Sequence, residues 1–380
     1  MNRSHRILPV YTGDVSGACS ALFELGGMVV IHDPSGCNST YNTHDETRWY
    51  DHDSLIFISA LTEKDAILGN DDKLLHNVMD AARELKPRFV ALCNSPVPFL
   101  SGTDFPALCR LLERELHIPC FYVRTNGMHD YTVGAGAAFD ALAHRFVMPA
   151  HVQPNTLNIL GLTPLDGGAH DVVRDLHAFA HEAGFEVVSC WAMDSSLDHI
   201  ARAGSAAVNL VVSSTGFAAA KTLQQRFGTP YVVGWPVGAS RDVLAQALRD
   251  AATSGMSATT CRNARSAATD GSVCLVGEPV TMGSLAVAAQ HELGTPVRVV
   301  CPTETYDGLL LASDVATNGE EEVEEALAAA QLIVGDPFFS WVAPEDARFV
   351  SLPHQAFSGR NGWKGRRDLT HLDVSALLSR

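Results

Sequence analysis

Apolar residues along the chain fall into short runs of β-branched and aliphatic residues, separated by longer stretches where they recur every third or fourth position. The short runs are bounded by Gly, Pro, Asn or Ser, the pattern of buried strands. They predict strands over residues 28–32, 55–60, 88–93, 120–124, 156–161, 186–190, 208–213, 231–234, 272–277, 297–301, 332–335 and 348–352. Helical periodicity lies between them. Residues 73–85 place Leu74, Leu75, Val78, Ala82 and Leu85 on one face behind Asp71 or Asp72 as N-cap. Residues 171–183 do the same with Val172, Leu176, Phe179 and Ala183, and stop at Gly184 as a C-terminal cap.

Strand and helix in alternation imply parallel sheets with helices on both faces. Residues 158–188 read strand, Gly-containing loop, helix, Gly, strand, and residues 273–300 repeat that order, so each is expected to open its own domain. At 380 residues the chain exceeds one ordinary core. The expected architecture is three doubly wound, Rossmann-like α/β domains around a central cleft, at 1–152, 153–265 and 266–380. Linkers are placed near 148–154 and in the apolar-poor stretch 253–271. Ligands in such sheets bind outside the carboxyl ends of the strands.

Composition narrows the function. With 46% hydrophobic and 18% charged residues the chain reads as globular. No apolar run is long enough to span a bilayer. Residues 1–10 lack a secretory h-region, so the expectation is a cytoplasmic protein. A formal charge of −16 without a basic stripe argues against nucleic acid and anionic membrane as partners.

Nine cysteines in a cytosolic chain are not read as disulfides, and no CxxC pair occurs. Cys109, Cys120, Cys190, Cys274 and Cys301 sit in or beside apolar segments and read as small core hydrophobes. Cys19, Cys37 and Cys93 differ: each is expected in a tight loop beside an apolar strand. Cys19 precedes the helical-looking stretch 20–25 and is placed at a helix N-terminus, where the dipole favours a thiolate. Iron–sulfur clusters usually take four thiolates, so three from one chain leave one position to be filled from elsewhere. Gly134-Ala135-Gly136-Ala137-Ala138 nearly matches a dinucleotide fingerprint but ends in Phe139, and is read as small-residue helix packing. No Gly-x-x-x-x-Gly-Lys-Ser/Thr motif is present.

Taken in order, Gly17-Ala18-Cys19, His32-Asp33-Pro34-Ser35-Gly36-Cys37, Leu61 to Asp65 with Gly69 and Asp71 to Leu74, Cys93-Asn94-Ser95-Pro96 and Gly102-Thr103-Asp104 resemble the component 1 superfamily of nitrogenases. Val208-Asn209-Leu210, Arg226 to Tyr231 and Pro353 to Gly359 extend the resemblance. The resemblance implies that Cys19, Cys37 and Cys93 are metal ligands of an electron-relay cluster at a subunit interface. That cluster would be a 4Fe–4S cubane or an 8Fe–7S cluster shared between chains, completed by a second copy or a paralogous subunit. It further implies an ATP-dependent iron-protein reductase as electron donor and an oxygen-sensitive dimer. A second metallocofactor or a tetrapyrrole is left open.

Where the nitrogenase α-subunit offers its cofactor a thiolate, this chain reads Val211-Val212-Ser213, and His354 matches the histidine ligand only loosely. Dinitrogen reduction is therefore not expected. The expected function is the catalytic component of a nitrogenase-like two-component oxidoreductase that reduces a bound small molecule or cofactor; the alternative is a metallocluster assembly scaffold without turnover. Glu278, Asp336 and His354, in loops expected to line the cavity, are the candidate catalytic residues. The stretch His44 to Asp53 reads as a solvated loop with local ion pairs. Its alternatives are a role beside the cluster, in docking the reductase, or as a non-cysteine ligand.

Overall fold

A computed structural model of the chain describes residues 6–34, 46–50, 52–168, 170–268, 271–360, 365 and 367–378. Its strands pair in parallel throughout and form three sheets. The first holds β1 (Met28–His32), β2 (Leu55–Ile58), β3 (Val90–Asn94) and β4 (Cys120–Val123) in the order β2-β1-β3-β4. The second holds β5 (Gln153–Leu160), β6 (Glu186–Cys190), β7 (Ala206–Val211), β8 (Tyr231–Val233) and β9 (Ala258–Thr259) in the order β6-β5-β7-β8-β9. The third holds β10 (Val273–Val276), β11 (Arg298–Cys301), β12 (Val315–Ala316), β13 (Leu332–Gly335) and β14 (Arg348–Ser351) in the order β12-β11-β10-β13-β14.

Central strands such as β1 and β3 are buried along their whole length, as parallel strands covered by helices on both faces must be. Each sheet begins at an inner strand and is laid down outward in both directions. It therefore has a point where the winding reverses, between β1 and β3, β5 and β7, and β10 and β13. The loops leaving those strand pairs splay apart and open a crevice.

All twelve expected strands occur within a few residues of their predicted ends. The two-residue edge strands β9 and β12 are too short to leave a periodic signal. Residues 253–271, expected as a linker, are instead packed structure: they carry the end of the helix Ser240–Ser254, β9 and the helix Thr260–Asn263. Thr260 Oγ1 donates to the Val233 carbonyl at 2.8 Å, Cys261 is fully buried, and the buried Arg265 pairs with Asp314. The helix Asp71–Leu85 starts two residues earlier than its apolar stripe, behind Asn70, so Asp71 and Asp72 lie in its first turn and favour the dipole from there. Gly184, at φ +91°, ends Asp171–Glu182 as expected, its N–H bonding the His181 carbonyl.

The helices Asp14–Leu22 and Tyr131–Arg145 touch backbone to backbone. A Cβ on Gly17 would overlap the Tyr131 carbonyl, and one on Gly134 the Asp14 carbonyl. The Gly134-Ala135-Gly136 run thus serves helix packing. One apolar core runs from the first sheet (Ile31, Phe121) through Phe139 and Leu142 to Trp191 and Phe217 of the second unit. Among the described residues no helix is long and apolar enough to cross a membrane.

Candidate functional site

Two chemically distinct constellations stand at the carboxyl ends of the sheets. The first is built on cysteine. Cys93 is fully buried in β3, level with Ile31 of β1, at the winding reversal of the first sheet. Cys19 is fully buried in the second half of the helix Asp14–Leu22. The expected loop placement and helix N-terminus for Cys19 are both corrected: extended Gly13 precedes the helix and Asp14 opens it. The macrodipole therefore does not favour a thiolate at Cys19. Cys37 lies outside the described residues.

The Cys19 thiol faces Cys93. Burial pushes it well above the ordinary thiol range, and the neighbouring Cys93 and the charge on Glu46 push the same way. Two facing thiols sealed from water suit an iron–sulfur cluster, whose ligands must lose their protons, so the iron charge has to offset both burial and Glu46. His32, at the end of β1 but packed on Phe105 at the opposite face of the sheet from Cys93, has Nδ1 2.7 Å from Ser59 Oγ, and burial holds its pKa down to about 4.

Beside Cys19 the polar stretch from Glu46 departs from a solvated loop. Arg48 is almost fully buried. Its Nε and Nη2 donate to the two oxygens of Glu46 at 2.7 and 2.9 Å, a bidentate pair. Nη1 donates to Glu24 Oε1 and the Ala192 carbonyl, and Nη2 to the Ser20 carbonyl. Ser20 Oγ donates to Glu46 Oε2 at 3.0 Å. Burial raises the Glu46 carboxyl, but the Arg48 charge and hydrogen bonds outweigh it and hold the group below the usual carboxylate range. His52 and Asp53, at the far end of the stretch, are exposed, while His44, Asp45 and Asp51 lie outside the described residues.

The second constellation joins the reversals of the second and third sheets. Asp166 sits in the loop after β5, and Ser213 follows β7. Tyr131 Oη donates to Asp166 Oδ1 at 2.5 Å and Ser213 Oγ to Asp166 Oδ2 at 2.7 Å. His354 Nε2 lies 3.4 Å from Asp166 Oδ1, buried and without a hydrogen-bond partner of its own. Glu278, just after β10, is fully buried. It accepts from the N–H groups of Ser214, Val280 and Thr281. Burial and the Asp166 charge raise its pKa against those bonds. Burial, then the charges of Asp166 and Glu278, push Tyr131 well above the usual phenol range.

Asp336, after β13, accepts from Phe338 N–H at 3.1 Å and His354 N–H at 2.8 Å, holding the His354 loop in place. Asp166 and His354 border a pocket of about 20 Å³, room for a single water, together with Trp235, Met282 and Arg367. Glu278 and Asp336 stand behind that wall rather than in it. Sequence reasoning missed Asp166 and Tyr131. The available signal was an aspartate in a Gly-rich loop, Asp166-Gly167-Gly168, directly after the opening strand of a βαβ unit.

A larger cleft of about 380 Å³ lies at the start of the helix that carries Cys19, lined by Thr12, Ser16, Gly127 and Ser358 among others. Asp14 closes its floor, accepting from the N–H groups of Asn126 and Gly127 at 2.8 and 2.9 Å. Burial raises its pKa to about 6 despite those bonds. Five residues of helix, about 7.5 Å along the axis, separate Asp14 from Cys19.

The chain is similar to known proteins. The profile described as Nitrogenase component 1 type Oxidoreductase matches residues 14–330. The nitrogenase iron-molybdenum cofactor biosynthesis protein NifE of Clostridium pasteurianum is 28% identical over 179 residues, 46% of this chain and 38% of that protein. NifE of Klebsiella pneumoniae is 25% identical over 236 residues, 57% and 51% of the two chains. The nitrogenase molybdenum-iron protein alpha chain of Azospirillum brasilense is 27% identical over 221 residues, 53% and 45%. The matches thus span about half or less of these relatives. A solved structure of nitrogenase Cp1 at pH 5 superimposes with a TM-score of 0.64 over 100% of this chain and 90% of the other, at 13% identity, a likeness of fold. With a family profile covering most of its length, three parallel sheets in this arrangement and facing buried cysteines at the first reversal, the chain belongs to the nitrogenase component 1 type oxidoreductases.

Proposed function

We propose that this chain is the catalytic component of a two-component reductase, taking electrons at the cysteine site and reducing a small molecule in the interior. The observation that carries the proposal is the meeting of Cys19 and Cys93, brought from a helix and a distant strand into one sealed crevice. An iron–sulfur cluster held there by Cys19, Cys93 and Cys37 would supply one-electron transfer. The remaining ligands would come from a second copy or a paralogous chain. Supporting this, the short helices Glu63–Leu68 and Pro96–Ser101, which follow β2 and β3, leave apolar side chains uncovered, with Leu100 81% and Ile67 75% exposed and Phe99 and Leu68 beside them in sequence. An ATP-dependent iron protein is the electron donor expected from the family.

This chain's own residues would handle the protons. Asp166 gathers the hydroxyls of Tyr131 and Ser213 and the edge of His354 around one carboxylate, which positions these groups to pass a proton among themselves. Glu278, raised by burial, is the reserve acid behind them. Asp14, near 6, can hold or release a proton at the floor of the larger cleft in the physiological range. Ser213 offers a hydroxyl where a cofactor-binding thiolate would stand, which supports a substrate other than dinitrogen.

A second proposal, a cluster-assembly scaffold, draws on the names of the NifE relatives. One experiment separates the two. Anaerobically purified protein is reduced and mixed with apo acceptor protein, and iron is followed by electron paramagnetic resonance. A reductase keeps its iron and reoxidises only with substrate; a scaffold loses iron to the acceptor. Absence of iron in the wild type, or full iron in a Cys19→Ala/Cys93→Ala variant, overturns both.

A further inference from the structure

On the far side of the Arg48 network from Cys19, three side chains with metal-binding atoms meet where the first unit touches the second. Glu24 follows the cysteine-bearing helix, His52 follows the Arg48 turn, and His170 precedes the helix Asp171–Glu182. One ligand atom from each falls within 4.8 Å of the others. His170 Nε2 lies 3.0 Å from Glu24 Oε1, and the His52 and His170 rings lie side by side, with centroids 5.1 Å apart. None of the three is used by the electron or proton chemistry above.

We propose that Glu24, His52 and His170 form a site for a divalent cation of the zinc class that ties the two units together beside the cysteine crevice.

Charge supports the assignment. Arg48 also touches Glu24, but the bidentate Glu46 neutralises it. Counting Arg48 as +1 and Glu46 and Glu24 as −1 each leaves a net −1 when the imidazoles are neutral, so a cation is attracted rather than repelled. The support around the site is that of a built one. Glu24 Oε2 accepts the Asp194 N–H at 2.7 Å and Oε1 accepts from Arg48 at 2.9 Å, so the carboxylate is fixed before any ion arrives. Two imidazoles and a carboxylate are a ligand set for zinc with a position left for water.

The geometric demand is small. Ligand atoms of a tetrahedral zinc stand roughly 3.4 Å apart at bonds of about 2.1 Å, so with all three atoms within 4.8 Å of one another no pair need close by more than about 1.4 Å. His52 is exposed and free of packing on one side, and it can make that movement. Glu24 is almost buried and His170 half-buried, which gives the site one wet side and one dry side.

The alternative is a plain His170–Glu24 ion pair, and zinc separates the two. Full-length protein with its iron in place is equilibrated with zinc, dialysed, and measured for bound zinc, melting temperature and zinc-edge X-ray absorption. The expected result is one zinc per chain, a rise of a few degrees in melting temperature, and a nitrogen/oxygen shell at about 2.0–2.1 Å without sulfur at about 2.3 Å. Affinity should fall at least tenfold in His52→Ala and in His170→Gln, with iron content unchanged in both. A sulfur shell, which would put the zinc on cysteines, overturns the proposal. So does zinc binding or thermal stabilisation equal in wild type and both variants, or no zinc retained by the wild type.

Discussion

Replacing Arg48 by Met tests the buried ion pair beside Cys19. Met keeps the stem that packs against Phe23, over whose ring the guanidinium lies at 4.7 Å. It removes both bonds to Glu46 and the donors to Glu24, Ala192 and Ser20. Glu46 is then left as an unpaired buried charge. Breaking one side of such a pair costs about 3–5 kcal/mol. At a urea slope of about 2 kcal/mol/M this moves the midpoint down by roughly 1.5–2.5 M. The pH dependence identifies the cause. In the wild type Arg48 holds Glu46 below the usual range, so its contribution is present above the unfolded pKa and lost as pH falls. In Arg48→Met the guanidinium charge and its two bonds are gone, burial outweighs the remaining bonds from Ser20 Oγ and the residue 48 N–H, the folded pKa rises, and the penalty disappears as pH falls through it. The stability gap should therefore be widest at pH 7 and narrow toward pH 5. Arg48→Met/Glu46→Gln should regain at least ~1 kcal/mol over the single variant at pH 7. Urea unfolding followed by fluorescence at both pH values decides it. A gap that stays constant with pH, or one below ~1 kcal/mol, would refute the assignment of a paired buried charge.

Three further outcomes follow from the geometry. Gly17→Ala forces a methyl into the Tyr131 carbonyl and should cost ~1–3 kcal/mol by thermal melting, with iron loading reduced because the cysteine-bearing helix is displaced. Cys93→Ala should abolish iron binding, whereas Ser213→Ala should leave iron intact, cost ~1–2 kcal/mol for the lost bond to Asp166, and shift the pH profile of substrate reduction. Asp14 and His32 pull stability in opposite directions between pH 4 and 6. The Asp14 pKa is raised to about 6, so stability is lost as pH rises through it. The His32 pKa is lowered to about 4, so stability is lost as pH falls. Removing one of them in His32→Gln should expose a fall of ~2–3 kcal/mol as pH rises from 4 to 6, measured by urea midpoints.

Much of the fold was written in local pattern. Residues 28–32 and 332–335 match β1 and β13 residue for residue because buried parallel strands are near-continuous apolar runs. What the sequence concealed was every feature fixed by a distant partner. Ser16-Gly17 reads locally as loop, yet Gly17 is helical because another helix needs its missing side chain. Arg48 reads as a surface charge because its partners, Glu24 and the Ala192 carbonyl, are remote in the chain. Asp166 carries no motif, and its importance comes from Tyr131, Ser213 and His354 arriving from three other elements.

The separation of the two constellations has a physical logic. A thiolate cluster and a carboxylate proton relay make opposite demands on their surroundings: one must be dry and screened from added negative charge, the other must hold negative charge beside donors. The fold meets both by using different winding reversals. The first sheet presents Cys93 beside the fully buried β1, and the acid that presses on Cys19 among the described residues, Glu46, is neutralised by Arg48. The second and third sheets present Asp166 and Glu278, whose mutual repulsion raises Glu278 and is tempered by backbone donors. Restoring a thiolate by Ser213→Cys would place it against the Asp166 carboxylate, where burial and like charge both hold the thiol protonated. That single substitution should therefore fail to create a cofactor anchor, and the paired change Ser213→Cys/Asp166→Asn, which lifts the like charge but not the burial, should react with a thiol reagent at neutral pH faster than Ser213→Cys alone yet far more slowly than an exposed cysteine.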